Sequence, residues 1–100
     1  MTPAPTTDVD AVAAAVLAVP GVVDLHGGSF GVGTYLPGRR VVGIRLGADV
    51  TEVHVSVEMG TRVPALAASI AAAVGALVGT PVEVHVEDVV DVSASDRPTA

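Results

Sequence analysis

The chain has no cysteine, lysine, asparagine or tryptophan, and its only aromatic residues are Phe30 and Tyr35. Without cysteine there are no disulfides, thiolate zinc centres or thiol nucleophiles, and the composition suits a reducing compartment. With so few aromatics, the core must be assembled from Val, Ala, Leu and Ile through many small contacts. All five basic residues are Arg, against 11 acidic residues, for a formal net charge of -6. That balance opposes attraction to phosphate backbones and to anionic lipid, so no nucleic-acid partner is expected.

One hundred residues set the expectation of a single domain. A domain of that size buries roughly 60–65% of the surface its unfolded chain exposes. The N-terminal Ala/Val run follows Asp8 and Asp10, acidic where a signal peptide would be basic. A second apolar stretch, Val63 to Val82, is free of charge, but Gly79, Thr80 and Pro81 stop a helix near Val78. Sixteen helical residues span about 24 Å, against a hydrocarbon core of about 30 Å. A buried amphipathic helix is therefore expected, with no direct membrane insertion.

The organisation reads as a flexible arm (1–6, with Pro3 and Pro5), one α+β domain (7–92) and a flexible polar tail (93–100). Thr7 is a candidate cap, with Asp8 and Asp10 in the first helical turn. Val9, Val12, Ala13, Val16 and Leu17 follow at helical spacing, and Pro20-Gly21 ends the helix. Val22 to His26 suits a short strand, and Gly27 to Gly33 is too glycine-rich to hold regular structure cheaply. Val42, Ile44 and Leu46 alternate with polar or small residues, Gly47-Ala48-Asp49 turns the chain, and Val53, Val55, Val57 and Met59 complete a hairpin.

Thr61 and Pro64 open a second helix, whose stripe is Val63, Leu66, Ala67, Ile70, Val74, Leu77 and Val78, with Gly79 past its end. The last strand places Val82, Val84 and Val86 on one face and Glu83, His85 and Glu87 on the other. A helical crossover between strands makes them parallel. The expected order is α-β-β-β-α-β: two helices on one face of a mixed three- to four-stranded sheet, with the other face polar. This would be a ferredoxin-like relative lacking the usual first strand.

Gly27-Gly28-Ser29-Phe30-Gly31 matches the G-x-S-x-G nucleophile elbow in letters. Its context fails, because an elbow needs a helix directly after the serine. The same glycines, with Arg39 and Arg40 nearby, offer a weak phosphate cradle, and neither Gly-rich fingerprint is completed. His26, His54 and His85 fall on the polar phase of their strands, near Glu52, Glu58, Glu83 and Glu87. They would suit zinc or nickel, but a solvated face of alternating His, Glu and Val explains them equally well, and no metal or other cofactor is assigned. Glu83, Glu87, Asp88, Asp91 and Asp96 read as a solvated acidic end. Tyr35, Leu36, Arg39 and Arg40 put an aromatic, an aliphatic and two guanidinium groups on one loop, the residue types that dominate protein interfaces. They are the candidate partner-binding residues, and no catalytic residue is assigned.

Three segments together resemble the alkaline shock protein family, the envelope stress response proteins of Gram-positive bacteria. The first helix ends in Val19-Pro20-Gly21-Val22, with Leu25 beyond. Val53-His54-Val55-Ser56-Val57-Glu58-Met59-Gly60 is followed by Val63-Pro64-Ala65-Leu66-Ala67. Val82-Glu83-Val84-His85-Val86-Glu87-Asp88-Val89 closes the domain. The Tyr35 to Arg45 stretch is similar to the actinobacterial branch. Membership would imply a small non-enzymatic cytoplasmic protein, gathered at the inner face of the membrane by an anchor protein and linked to envelope stress. The polar sheet face or an open sheet edge adds a route to self-association. The chain departs from the better-known members in lacking Lys-rich tails. A metal- or phosphate-binding regulatory domain is the alternative reading of the same residues.

Overall fold

The computed structural model describes residues 8–28 and 31–92. The expected arm, the Thr7 cap, Ser29, Phe30, Asp96 and the tail lie outside the described residues. Helix α1 (Val9–Leu17) is followed by strands β1 (Val22–Leu25), β2 (Gly33–Leu36), β3 (Arg39–Val42), β4 (Ile44–Leu46) and β5 (Thr51–Glu58). Helix α2 (Val63–Val78) and strand β6 (Val82–Val90) complete the chain. The α+β class is as the sequence predicts. The order gains a hairpin, β2–β3, in a stretch expected to be loop. Pro37-Gly38 explains it: proline presets the first turn position, and Gly38 adopts the positive φ of 77° that the second requires. Tyr35 then pairs with Arg40, and Leu36 with Arg39.

The N-cap of α1 is Asp8, whose carboxylate accepts from the Asp10 N–H at 2.9 Å. Val9, Val12 and Val16 are buried along one stripe, and Val19 extends it beyond the helix. In α2 the N-cap is Arg62 and not Thr61, and no side chain caps it. Pro64 occupies the first turn, where a missing N–H costs nothing. The buried stripe of α2 is narrower than expected: Leu66, Ile70 and Val74 are buried, while Val63 and Leu77 are exposed. Gly79 closes the helix in the left-handed region. No helix among the described residues is long and apolar enough to cross a membrane.

Strand β5 is the centre of the main sheet. It pairs along its whole length with β6, in parallel, as a crossover through α2 demands. Its other edge is shared end to end by two antiparallel strands, β4 at Thr51 to Val53 and β1 at Val55 to Val57. The edge changes hands at His54, whose backbone N–H donates to Gly43 O at 2.7 Å and whose C=O accepts from His26 N–H at 2.9 Å. Val53, Val55 and Val57 point toward the helices and are essentially fully buried with Ile44, Ile70 and Val74. Each such side chain contributes roughly 1.5–3 kcal/mol.

The opposite face is not the open polar face expected, because His54 and Ser56 are also buried, each 6% exposed. The cause is local. The chain between β1 and β2 folds back across this face, bringing Gly27, Gly28 and Val32 beside His54 and Glu87.

Gly43 is the joint that lets one chain segment serve two sheets. Its φ of +83° turns the backbone from β3, paired with β2, into β4, paired with β5. A Cβ there would sit 2.8 Å from His54 O and 3.0 Å from His26 N. Gly43→Ala is therefore expected to destabilise the fold by at least about 1–3 kcal/mol, and by more than Gly79→Ala, where φ is similar at +73° but nothing lies within 4 Å. Urea midpoints of the two variants measure this, and equal losses would remove the role of the joint.

Candidate functional site

Two surfaces carry chemistry, and the first is an imidazole–carboxylate cluster on the covered sheet face. β5 and β6 run in parallel register with Glu52 opposite Glu83 and His54 opposite His85. Side chains two apart share a face, so all four project together. The His54 and His85 rings stack with centroids 4.3 Å apart and planes 8° from parallel.

A β-bulge between Val55 and Ser56 leaves Glu87 as an extra residue on β6. Bulges re-aim side chains, and here the Glu87 carboxylate meets His54 Nδ1 at 2.5 Å. The second ring nitrogen, Nε2, faces Glu52 Oε1 at 3.2 Å. Glu52 is steadied from the far side by Arg45 Nε at 3.3 Å, and His85 Nε2 bonds Glu83 at 3.1 Å. The His54 hydrogen bond holds the Glu87 carboxyl below the usual range, and partial burial opposes that shift. Arg45, Glu52, His54, His85 and Glu87 line a cavity of about 320 Å³ roofed by Gly27, Gly28 and Val32.

His26 does not join the cluster: its Nδ1 accepts from Gly28 N–H at 2.9 Å, which shapes the roof. Glu58 is likewise outside it. The cross-strand meeting of His54 and His85 was legible from the alternation, given that the strands pair. The reach of Glu87 was not, because the bulge has no signature in the sequence. The roof also disfavours a phosphate cradle. Gly28, Gly31 and Val32 N–H groups donate to His26 Nδ1, Gly28 O and Gly27 O, and Glu87 would oppose an anion beside Gly28. The elbow reading of the glycine segment loses its context, since strand β2 follows and no helix does.

The second surface is the β2–β3 hairpin. Tyr35 is 76% exposed near its tip, and the Arg40 guanidinium carbon lies 5.3 Å from its ring centroid, in cation–π range. Arg40 also donates to Gly31 O. Leu36 turns the other way and packs against the core. Arg39 binds Asp10 of α1 through both guanidinium nitrogens, at 2.9 and 2.5 Å, and Thr34 Oγ1 donates to Ile44 O at 2.6 Å. Of the four residues read as a partner surface, Leu36 and Arg39 hold the hairpin, while Tyr35 and Arg40 are presented by it.

Comparison with family models, curated proteins and solved structures finds no match to this chain. Functional inference therefore rests on the residues and their geometry.

The Arg39 guanidinium beside Asp10 holds the aspartate carboxyl below its ordinary range, chiefly through their hydrogen bond. A carboxyl with a lowered native pKa contributes stability at neutral pH, and that contribution is lost as pH falls through the native value. Arg39→Gln should raise the Asp10 pKa toward the ordinary carboxylate value. It should also flatten the decline of stability in acid. Carbon-detected NMR titration of the Asp10 carboxyl reads the first effect directly, and an unmoved midpoint would show that the ion pair does not form in solution.

Proposed function

We propose that this protein is a non-enzymatic binding protein of the alkaline shock type, which acts in envelope stress through contacts with other proteins. In this reading it is cytoplasmic and is recruited to the inner face of the membrane by an anchor protein. The observation that carries the binding role is the presentation of Tyr35 and Arg40 on a hairpin pinned to α1 by the Arg39–Asp10 pair. An aromatic ring and a guanidinium held out in one place lose little conformational freedom when a partner closes over them. They are also the side chains most often dominant in interfaces. The complementary surface is an apolar side chain beside a carboxylate, met by Tyr35 and Arg40 in turn. Self-association has its own route, because among the described residues β6 pairs with β5 alone, and an unpaired strand edge can accept another strand.

A photo-reactive residue in place of the exposed Pro37 at the hairpin turn, cross-linked in cells that make the protein naturally, tests the reading. Membrane fractions should yield one small membrane protein attached to this chain. Combining Tyr35→Ala with Arg40→Glu should cut its recovery at least tenfold without changing the urea midpoint by much. Recovery of cytosolic chain alone, or unchanged capture by the double variant, would overturn the assignment.

A further inference from the structure

The His54 cluster is rich in carboxylate. Three carboxylates, Glu52, Glu83 and Glu87, surround two imidazoles, and Arg45 is the fixed positive charge bonded into the group. The conflict is sharpest at His54, whose side chain is 7% exposed. A neutral imidazole has one N–H, and an ionised carboxylate only accepts. Donation from Nδ1 to Glu87, the shorter contact at 2.5 Å, leaves the Nε2 lone pair facing Glu52 Oε1 at 3.2 Å. Two electron-rich atoms in that position need a positive centre between them, either a proton or a metal ion.

We infer that Glu52, His54 and His85 form a binding site for a zinc-class divalent transition-metal ion. One ligand atom from each lies within 4.8 Å of the others. Two imidazole nitrogens and one carboxylate favour borderline ions over magnesium or calcium, which prefer all-oxygen shells. The surrounding residues act as an outer shell. Glu87 takes the Nδ1–H of His54, the carboxylate–histidine–metal arrangement that orients a ligand ring and raises its basicity, and Arg45 steadies the free oxygen of Glu52.

The stacked rings keep their in-plane lone pairs in two nearly parallel planes, with centroids 4.3 Å apart, so His85 must turn out of the stack to share the ion. Its side chain is 42% exposed and its ring nitrogen is held by Glu83, so the turn exchanges one exposed hydrogen bond for a metal bond. Three protein ligands leave the fourth tetrahedral position for water or for a partner's side chain. The site lies apart from Tyr35 and Arg40 and stands independently of the partner reading.

The test uses the full tag-free chain, stripped with chelator and titrated with zinc against a competing chelator dye. One equivalent should bind, and cobalt substitution should give the visible absorption of a low-symmetry, four-coordinate ion. His85→Ala and Glu52→Gln should each weaken binding at least tenfold while the circular dichroism spectrum is retained. Glu87→Gln should weaken it roughly 10–100-fold through the outer shell. Glu58→Gln, outside the cluster, should leave the affinity within twofold. Absence of a saturable equivalent would overturn the inference. So would zinc binding insensitive to His85→Ala and Glu52→Gln, which would place the ion on other groups.

Discussion

Burial of β5 on both faces is the constraint from which the rest of the structure follows. On one side Val53, Val55 and Val57 meet the valine and leucine stripes of α1 and α2. With roughly 1.5–3 kcal/mol for each buried side chain, this valine layer outweighs any single polar contact in the protein. It also specifies register, because a one-residue slip would turn the valines outward and the histidine inward. The helices therefore lie on one face, and Glu52, His54, Ser56 and Glu58 are driven to the other, while Thr51 stays on the valine side with its hydroxyl bonded to that of Thr80.

That second face would be an ordinary solvated surface if the glycine-rich segment did not cross it. Its roof makes His54 a buried residue, and burial turns an alternating His/Glu pattern into a problem of hydrogen-bond accounting. Gly43 links the two features, since its carbonyl accepts from the His54 backbone while its N–H donates to Val32 in the roof. The same joint sends the chain out into the β2–β3 hairpin, so the interaction surface and the imidazole cluster have a common structural origin. The hairpin is anchored by an exposed ion pair and a threonine bond, contacts of modest strength. Its position depends chiefly on Leu36 and Val41, which reach back to the core.

Much of the architecture was legible because the chain uses simple patterns. Alternation over Val53 to Val57 and Val82 to Val86, the Val9, Val12 and Val16 spacing, and Gly79 at a helix end each have one cheap structural solution. Other features were harder to read. Pro37-Gly38 is a turn signal, but the flanking Gly33 and paired arginines weaken the strands on either side of it. Asp8 caps α1, and Arg62 and not Thr61 precedes α2, because the exact helix start depends on tertiary packing as well as on capping preference. The surface residues Tyr35 and Arg40 were visible as residue types. That Leu36 and Arg39 would be diverted to hold the hairpin was not, because neither Asp10 nor the core is near them in sequence.

By itself the sequence determined the α+β class, the parallel crossover from β5 through α2 to β6, and the residues that share each strand face. These follow from periodicity and turn chemistry, which act over a few residues. The tertiary structure decided which polar groups are buried and which ones meet. A bulge of one residue aims Glu87 at His54, a backbone joint at Gly43 carries the roof, and Leu36 and Val41 tie the hairpin to the core beside an ion pair spanning residues 10 and 39. Those outcomes depend on contacts between segments far apart in the chain, where no local pattern reaches.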